Sequence, residues 1–323
     1  MIGDETRAAG SPRMPPIVAV VGPTAAGKTE LSLDLAEALG GEVVNTDSMQ
    51  VYRGMDIGTA KLPEGQRRGI RHHLLDMLDV TQPATVAEFQ GWARAVVDDC
   101  RARGVTPVLV GGSALYTRAV LDRFEFPGTD PVVRAGLEAL LEVEGPVAMH
   151  ARLAEVDPIA ATAIIPTNGR RVVRALEVVQ LTGRPFSATL PRQEYFYNDA
   201  VQVGVDIPRP VLDDRIEVRV RRMWESGLVD EVRGLVAAGL REGRTASRAL
   251  GYQQVLSFLD GEITEDEALE QTVAGTRRFA RKQDAWFRKD PRITWVGWDD
   301  PERAARAVAA VHGTATIDGK APG

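Results

Sequence analysis

Apolar positions along the first 120 residues alternate between two rhythms. Short, almost unbroken runs at residues 17–21 (IVAVV), 42–45 (EVVN) and 106–110 (TPVLV) have the density expected of strands buried on both faces. Between them, residues 29–39 and 86–103 carry apolar side chains at helical spacing. Strand and helix in turn predict an α/β fold, a parallel sheet flanked by crossover helices. From residue 129 to about 198 the rhythm changes. Four helical stretches, 132–143, 146–156, 158–164 and 169–182, follow one another between Pro and Gly breaks, as expected of an inserted helical subdomain. Strand character returns at 200–207 (AVQVGVDI), long helical stretches run to about 289, and a last strand-like ITWVG occupies 293–297. The expected division is an α/β core at 16–128 and 199–312, a helical insert at 129–198, and disordered tails at 1–15 and 313–323.

Composition narrows the class. A chain of 323 residues with 44% hydrophobic content can bury a sizeable core. No apolar run approaches the roughly 20 residues of a membrane span, and the polar, Pro-rich MIGDETRAAGSPRMPP does not read as a signal peptide. One cysteine, Cys100, excludes an intrachain disulfide framework, and a cytoplasmic location is expected. The formal net charge of −6 argues only weakly against a nucleic-acid partner, because local charge decides. Three basic clusters stand out: RRVVR at 170–174, RIEVRVRR at 215–222 and RRFARK at 277–282.

The most specific chemistry lies at the end of the first strand. Gly22, Pro23, Thr24, Ala25, Ala26, Gly27, Lys28 and Thr29 fit the pattern G-x-x-x-x-G-K-[ST] between a strand and a helix, so the core is expected to be P-loop NTPase-like. In that setting, backbone N–H groups and a helix N-terminus face an anion. Lys28 supplies a point charge, and the Thr29 hydroxyl can ligate Mg²⁺. A nucleotidase would also carry an acidic residue after a second strand to hold the metal near a γ-phosphate. Here the strand at 106–110 ends in Gly-Gly-Ser; the acid, Asp47, follows the earlier strand. On position alone Asp47 can be a metal ligand, a general base or the cap of a turn. His72 and His73 are adjacent, without Cys or carboxylate partners at ligand spacing, and read as structural.

In order, GPTAAGKTELS, DSMQVYRGMDIGTAK, HHLLD, VGGSALY, RRVVRALEV, RIEVRV, ALGYQQ and RKQDAWFR resemble the bacterial tRNA dimethylallyltransferases, over about residues 18–295. The resemblance implies transfer of the dimethylallyl group of dimethylallyl diphosphate to N6 of adenosine 37 in tRNA, beside the anticodon, with release of diphosphate. It implies that the loop holds an isoprenoid diphosphate rather than ATP, with Mg²⁺ on Thr29. Asp47 matches the family's proton acceptor and Arg219 its phosphate-clamping arginine, with Lys28 and Thr24 completing the catalytic set. The same resemblance assigns tRNA contacts to Asp47, Ser48, Met49 and Gln50, to Ser113 and Arg134, to Arg170, Arg171, Val172, Val173 and Arg174, and to Arg248, Gly251, Tyr252 and Gln253. Two positions depart from the family: Ala26 stands where relatives often have Ser, and Ser113 where many have Thr.

In the stretch 169–180, Val172, Leu176 and Val179 are expected to form the buried stripe, leaving Arg170 and Arg174 on one outer face. The expected partners are the tRNA anticodon stem-loop and the allyl diphosphate, with no membrane, and the enzyme is expected to be a monomer. Two other readings share part of the pattern. A small-molecule P-loop kinase has the same loop and sheet; an isopentenyltransferase acting on free adenine nucleotide has the same chemistry without needing a basic insert.

Overall fold

The computed structural model describes residues 14–189 and 193–313, so the expected tails lie, apart from Met14, Pro15 and Gly313, outside the described residues. In chain order the first elements are β1 (Ile17–Val21), α1 (Lys28–Leu39), β2 (Gly41–Asn45), β3 (His72–His73), α2 (Val86–Ala102), β4 (Thr106–Val110) and α3 (Ala114–Leu121). Next come α4 (Pro131–Val156), α5 (Pro158–Ala163) and α6 (Gly169–Thr182). The chain then continues through β5 (Ala200–Asp206), α7 (Arg209–Glu225), α8 (Leu228–Ala237), α9 (Tyr252–Leu259), α10 (Glu265–Phe287), β6 (Ile293–Gly297) and α11 (Arg303–Val311). Among the described residues no helix is long and apolar enough to cross a membrane.

The six strands form one sheet, all pairs parallel, in the order β3-β2-β4-β1-β5-β6. Central β1 is buried at every position, which is why its sequence is apolar without alternation. Val18, Val20, Val43, Val108, Val203 and Val205 share one core with Leu31 and Leu35 of α1 and with Leu212, Ile216 and Val220 of α7. Val273 and Ala280 of α10 and Ala307 of α11 belong to the same core. The alternate strand residues Ile17, Ala19, Val21, Val44 and Leu109 are buried as well, so both faces are covered. Helix α2, with Phe89, Ala93, Val97 and Cys100 inside, packs against β2, β4 and α3. A parallel sheet collects its strand C-termini at one edge. That edge therefore carries the loops after β1, β2 and β4.

Strand β3 has no counterpart in the periodicity. At two residues it is too short to give one, and only its register, Val43 with His72 and Val44 with His73, identifies it.

Residues Asp122–Phe196 form a second compact unit. Asp130 caps α4 by accepting from the N–H groups of Val132 and Val133, and Pro131 takes the first helical position. At Gly145 (φ 80°, ψ 165°), just before Pro146, α4 breaks, which accounts for the two separate helical stretches in the pattern. Met149, Leu153, Ala160, Ala161, Ile164, Val172, Val173 and Ala175 make the core of this unit.

The buried stripe of α6 differs from expectation. Leu176 and Val179 are half-buried, while Val173, Ala175, Glu177 and Val178 go inside. A carboxylate counts as an outside residue in any periodicity pattern. Here Glu177 is fully buried because donors surround it: Thr129 Oγ1 at 2.5 Å, Arg174 Nη1 at 2.7 Å, the Asp130 N–H at 3.2 Å, and Arg134 in an ion pair. The satisfied acid turns the buried arc toward itself.

Candidate active site

The phosphate loop folds as its motif requires. Gly27 is the N-cap of α1 at φ 103°, a conformation open to glycine, and no side chain caps the helix. The first-turn amides and the positive end of the helix dipole are thus left for an anion. From α7, Arg215 donates through Nε to the Ala25 carbonyl at 2.9 Å while stacking on Trp298, bracing the loop from outside. Lys28 Nζ donates to the Pro23 carbonyl at 2.7 Å. Burial, with Arg219 nearby, pushes the Lys28 ammonium down to about 7, although Asp47 pulls the other way. Burial likewise lowers Arg219 from its usual value, against the pull of Asp47, yet a guanidinium stays charged.

Asp47 is placed by its neighbour. The Asn45 side chain accepts from the Asp47 N–H at 2.8 Å and donates to the Asp47 and Leu74 carbonyls at 3.0 and 3.1 Å, clamping the turn after β2. Asp47 Oδ1 accepts from the Met49 N–H at 2.9 Å. One carboxylate oxygen therefore caps a turn, and the other has no hydrogen-bond partner among the described residues.

The loop after β4 explains its own glycines. A Cβ on Gly111 would lie 2.3 Å from Thr46 Oγ1, and one on Gly112 would lie 2.4 Å from Gln283 Nε2. The position where a nucleotidase carries its acid is filled by the backbone leading to Asp47. Ser113 follows, and its Oγ accepts from the Tyr116 N–H at the start of α3.

These loops open on a pocket of about 480 Å³, within the usual range for small-molecule sites. Of the expected catalytic and loop residues, Thr24, Lys28, Thr29, Asp47 and Arg219 line it. So do Ser48, Met49, Gln50, Ser113, Arg248 and Tyr252. Gly251 and Gln253 do not. In the second unit, Arg170 and Arg171 are exposed at the start of α6, but Val172 and Val173 are core residues with no surface to offer. Arg134 and Arg174 are engaged by Glu177, and Arg174 also donates to the Pro127 and Gly128 carbonyls at 2.6 and 3.1 Å.

The pocket also includes Asn45, Met223, Thr276, Phe279 and Gln283, none of which the sequence assigns to the site, and His72, which reads there as structural. Behind it, Glu231 of α8 accepts from the N–H groups of Asp56, Ile57 and Gly58 at 3.0, 2.7 and 3.2 Å and from Tyr252 OH at 2.5 Å. That one carboxylate holds the 56–58 loop against α9. In sequence it is one more acid on an amphipathic helix.

Two places offer donor atoms suited to a metal ion. Thr29 presents a hydroxyl to the pocket beside the phosphate loop, an oxygen donor suited to Mg²⁺ once diphosphate oxygens and water complete the shell. Elsewhere, Glu42, His73 and Cys100 bring ligand atoms within 4.8 Å of one another, so His73 does have carboxylate and thiol neighbours, across strands and not along the chain. A cation already serves that trio. Arg103 donates to both Glu42 oxygens at 2.9 and 2.7 Å and reaches Cys100 Sγ at 3.4 Å. Its hydrogen bonds hold the Glu42 carboxyl down to about 2, while burial and then Glu42 push the Cys100 thiol up to about 11. The cluster is a closed ion-pair network.

Comparison with known proteins converges on one family. The IPP transferase family model matches residues 50–290. A tRNA dimethylallyltransferase of Nocardioides sp. is 65% identical over 309 residues, covering 96% of this chain and 99% of that relative. Its namesake from Thermobifida fusca is 61% identical over 92% of the chain and 95% of the relative. Among solved structures, the tRNA isopentenylpyrophosphate transferase of Bacillus halodurans aligns with a TM-score of 0.68 at 40% identity, covering 93% of this chain and 96% of that one. A eukaryotic dimethylallyltransferase acting on tRNA aligns at 0.81 and 25% identity, over 95% of this chain and 81% of that one.

Proposed function

The chain belongs to the IPP transferase family, and from that premise we propose how its site divides the family's reaction among its residues. The enzyme transfers the dimethylallyl group of dimethylallyl diphosphate to N6 of adenosine 37 in tRNA and releases diphosphate. Departure of the diphosphate from the allylic carbon builds negative charge on the leaving oxygens. Lys28, the first-turn amides of α1 and Arg219 receive that charge, and Thr24 completes the cradle. Thr29 would hold Mg²⁺, which would supply neutralising charge for the departing diphosphate.

The nucleophile is an aromatic amine whose lone pair is delocalised into the purine, so its proton must leave as the C–N bond forms. Asp47 takes it on the oxygen that the Met49 turn does not use. Ser113, Arg248 and Tyr252 bound the pocket on the acceptor side. We place the reaction in the cytoplasm, where tRNA is found.

The observation that carries this reading is the convergence of Thr24, Lys28, Thr29, Asp47 and Arg219 on one pocket whose β4 loop, Gly111-Gly112-Ser113, has no acid for a nucleoside triphosphate. Asp47→Asn tests it. The amide still caps the Met49 turn but accepts no proton. Transfer should fall by about 10²–10⁴ while tRNA affinity stays within a few-fold. Near-normal turnover would reduce Asp47 to a turn cap.

A further inference from the structure

Gln283 lies on α10, 6% exposed, and touches two loops that no strand pairing connects at that point. Its Oε1 accepts from the Thr24 N–H at 2.9 Å, and its Nε2 donates to the Gly112 carbonyl at 2.8 Å. One planar amide therefore joins the phosphate loop after β1 to the β4 loop that delivers Ser113. Both backbone groups lie beyond the ends of their strands, where the sheet no longer satisfies them. The absence of a side chain on Gly112 makes room for the amide. Helix α10 is itself fixed, with Ala280 in the sheet core and Phe287 buried, so the amide is presented from a rigid element.

We propose that Gln283 is a positioning residue that holds the donor loop and the acceptor loop in register, so that the allylic carbon and N6 meet at reactive distance. This rests on the pocket reading given above. Only a group that accepts on one side and donates on the other serves both loops. Glutamine does so at any pH. A glutamate keeps the acceptor for Thr24 but sets an anionic oxygen against the Gly112 carbonyl. When protonated, its O–H donates to that carbonyl and the glutamine pattern is restored. Burial and the facing carbonyl both favour the neutral acid, raising its pKa above the ordinary glutamate value. The glutamate variant should therefore behave as a proton-operated clamp. A methionine fills the volume and makes neither bond.

The test compares wild type, Gln283→Met and Gln283→Glu between pH 6 and 8.5. The measurements are kcat, KM for dimethylallyl diphosphate and for tRNA, pyrophosphate affinity by calorimetry, and thermal midpoint. Gln283→Met should lose on the order of 10²-fold in kcat, since a displacement of about 1 Å suffices for that. Both KM values and pyrophosphate affinity should stay within about threefold, and the deficit should not vary with pH. Gln283→Glu should match that loss at pH 8.5 and recover several-fold relative to wild type as pH falls to 6. Referring each rate to wild type at the same pH cancels the titration of other groups.

An unchanged kcat in Gln283→Met, loss of pyrophosphate binding in step with a lowered thermal midpoint, or a pH-independent deficit in Gln283→Glu would overturn the proposal. If Gln283→Met does not fold, the pH dependence of Gln283→Glu decides. Failure of the pocket reading itself would appear in the wild-type arm, as absent pyrophosphate binding or absent tRNA alkylation, before any variant is considered.

Discussion

Lys28 is an ammonium in surroundings that disfavour its charge, with burial and Arg219 pushing it down to about 7. A diphosphate beside it reverses that balance, so binding should recharge the amine by proton uptake. Near pH 6 the ammonium is present before and after binding, and little uptake is expected. Above pH 7 the free amine is increasingly neutral, and uptake through Lys28 should rise toward one proton by about pH 8.5. Calorimetry of pyrophosphate binding in buffers of different ionisation enthalpy measures this. Subtracting Lys28→Arg, which does not titrate, removes the ligand's own protons, and a zero difference at pH 8.5 would show Lys28 charged throughout. Lys28 and Thr29 were legible in the sequence because a fixed spacing between a strand and a helix dictates where their side chains go, whereas the position of Asp47 after a strand left its role open and only the family resemblance narrowed it. The tasks of Gln283, although it lies within RKQDAWFR, and of Glu231 were not legible, because the backbone groups they hold are 171 to 259 and 173 to 175 positions away. Only folding brings those atoms together.

At the scale of the element, α6 divides its arginines between two tasks. Arg170 and Arg171 are exposed, whereas Arg174 serves the buried Glu177. Neutralising Arg170 and Arg171 together should flatten the log–log salt dependence of tRNA binding by up to about two phosphate equivalents, roughly 1.4–1.8 in slope, without changing the thermal midpoint. An unchanged slope would remove this helix from the RNA contact surface. Glu177 should behave oppositely. Burial works to raise its carboxyl, but hydrogen bonds from Thr129, Arg174 and Arg134 together leave it below its ordinary value. A depressed folded-state pKa gives stability that is present above the unfolded value near 4.5 and lost as pH falls below it. Glu177→Gln should thus cost about 2 kcal/mol at pH 7 in urea unfolding, and the difference from wild type should shrink as pH falls from 4.5 through the depressed folded-state value. A difference that did not shrink on acidification would mean that ionisation of Glu177 contributes nothing to stability. The four helical stretches here were legible from their Pro and Gly punctuation. The buried arc of α6 was not, since a pattern of polar and apolar letters cannot anticipate an acid drawn inside by two arginines.

At the scale of the whole molecule, the parallel sheet and the inserted helical subdomain could be read from the chain because a strand buried on both faces has to be apolar throughout, as β1 is. Strand order and the two-residue β3 were beyond that logic, being set by pairing between distant segments. The sheet places the ends of β1, β2 and β4 at one edge, and the proposed chemistry needs those three ends together: diphosphate on the first, proton acceptor on the second, acceptor-side contacts on the third. The most direct test is incubation of the protein with dimethylallyl diphosphate, Mg²⁺ and either unmodified tRNA or free AMP, followed by pyrophosphate assay and nucleoside analysis. The account predicts one equivalent of pyrophosphate per alkylated tRNA, the dimethylallyl group on N6 of adenosine 37, and no alkylated AMP. Alkylation of AMP with tRNA untouched, or consumption of ATP with the allyl donor ignored, would contradict it.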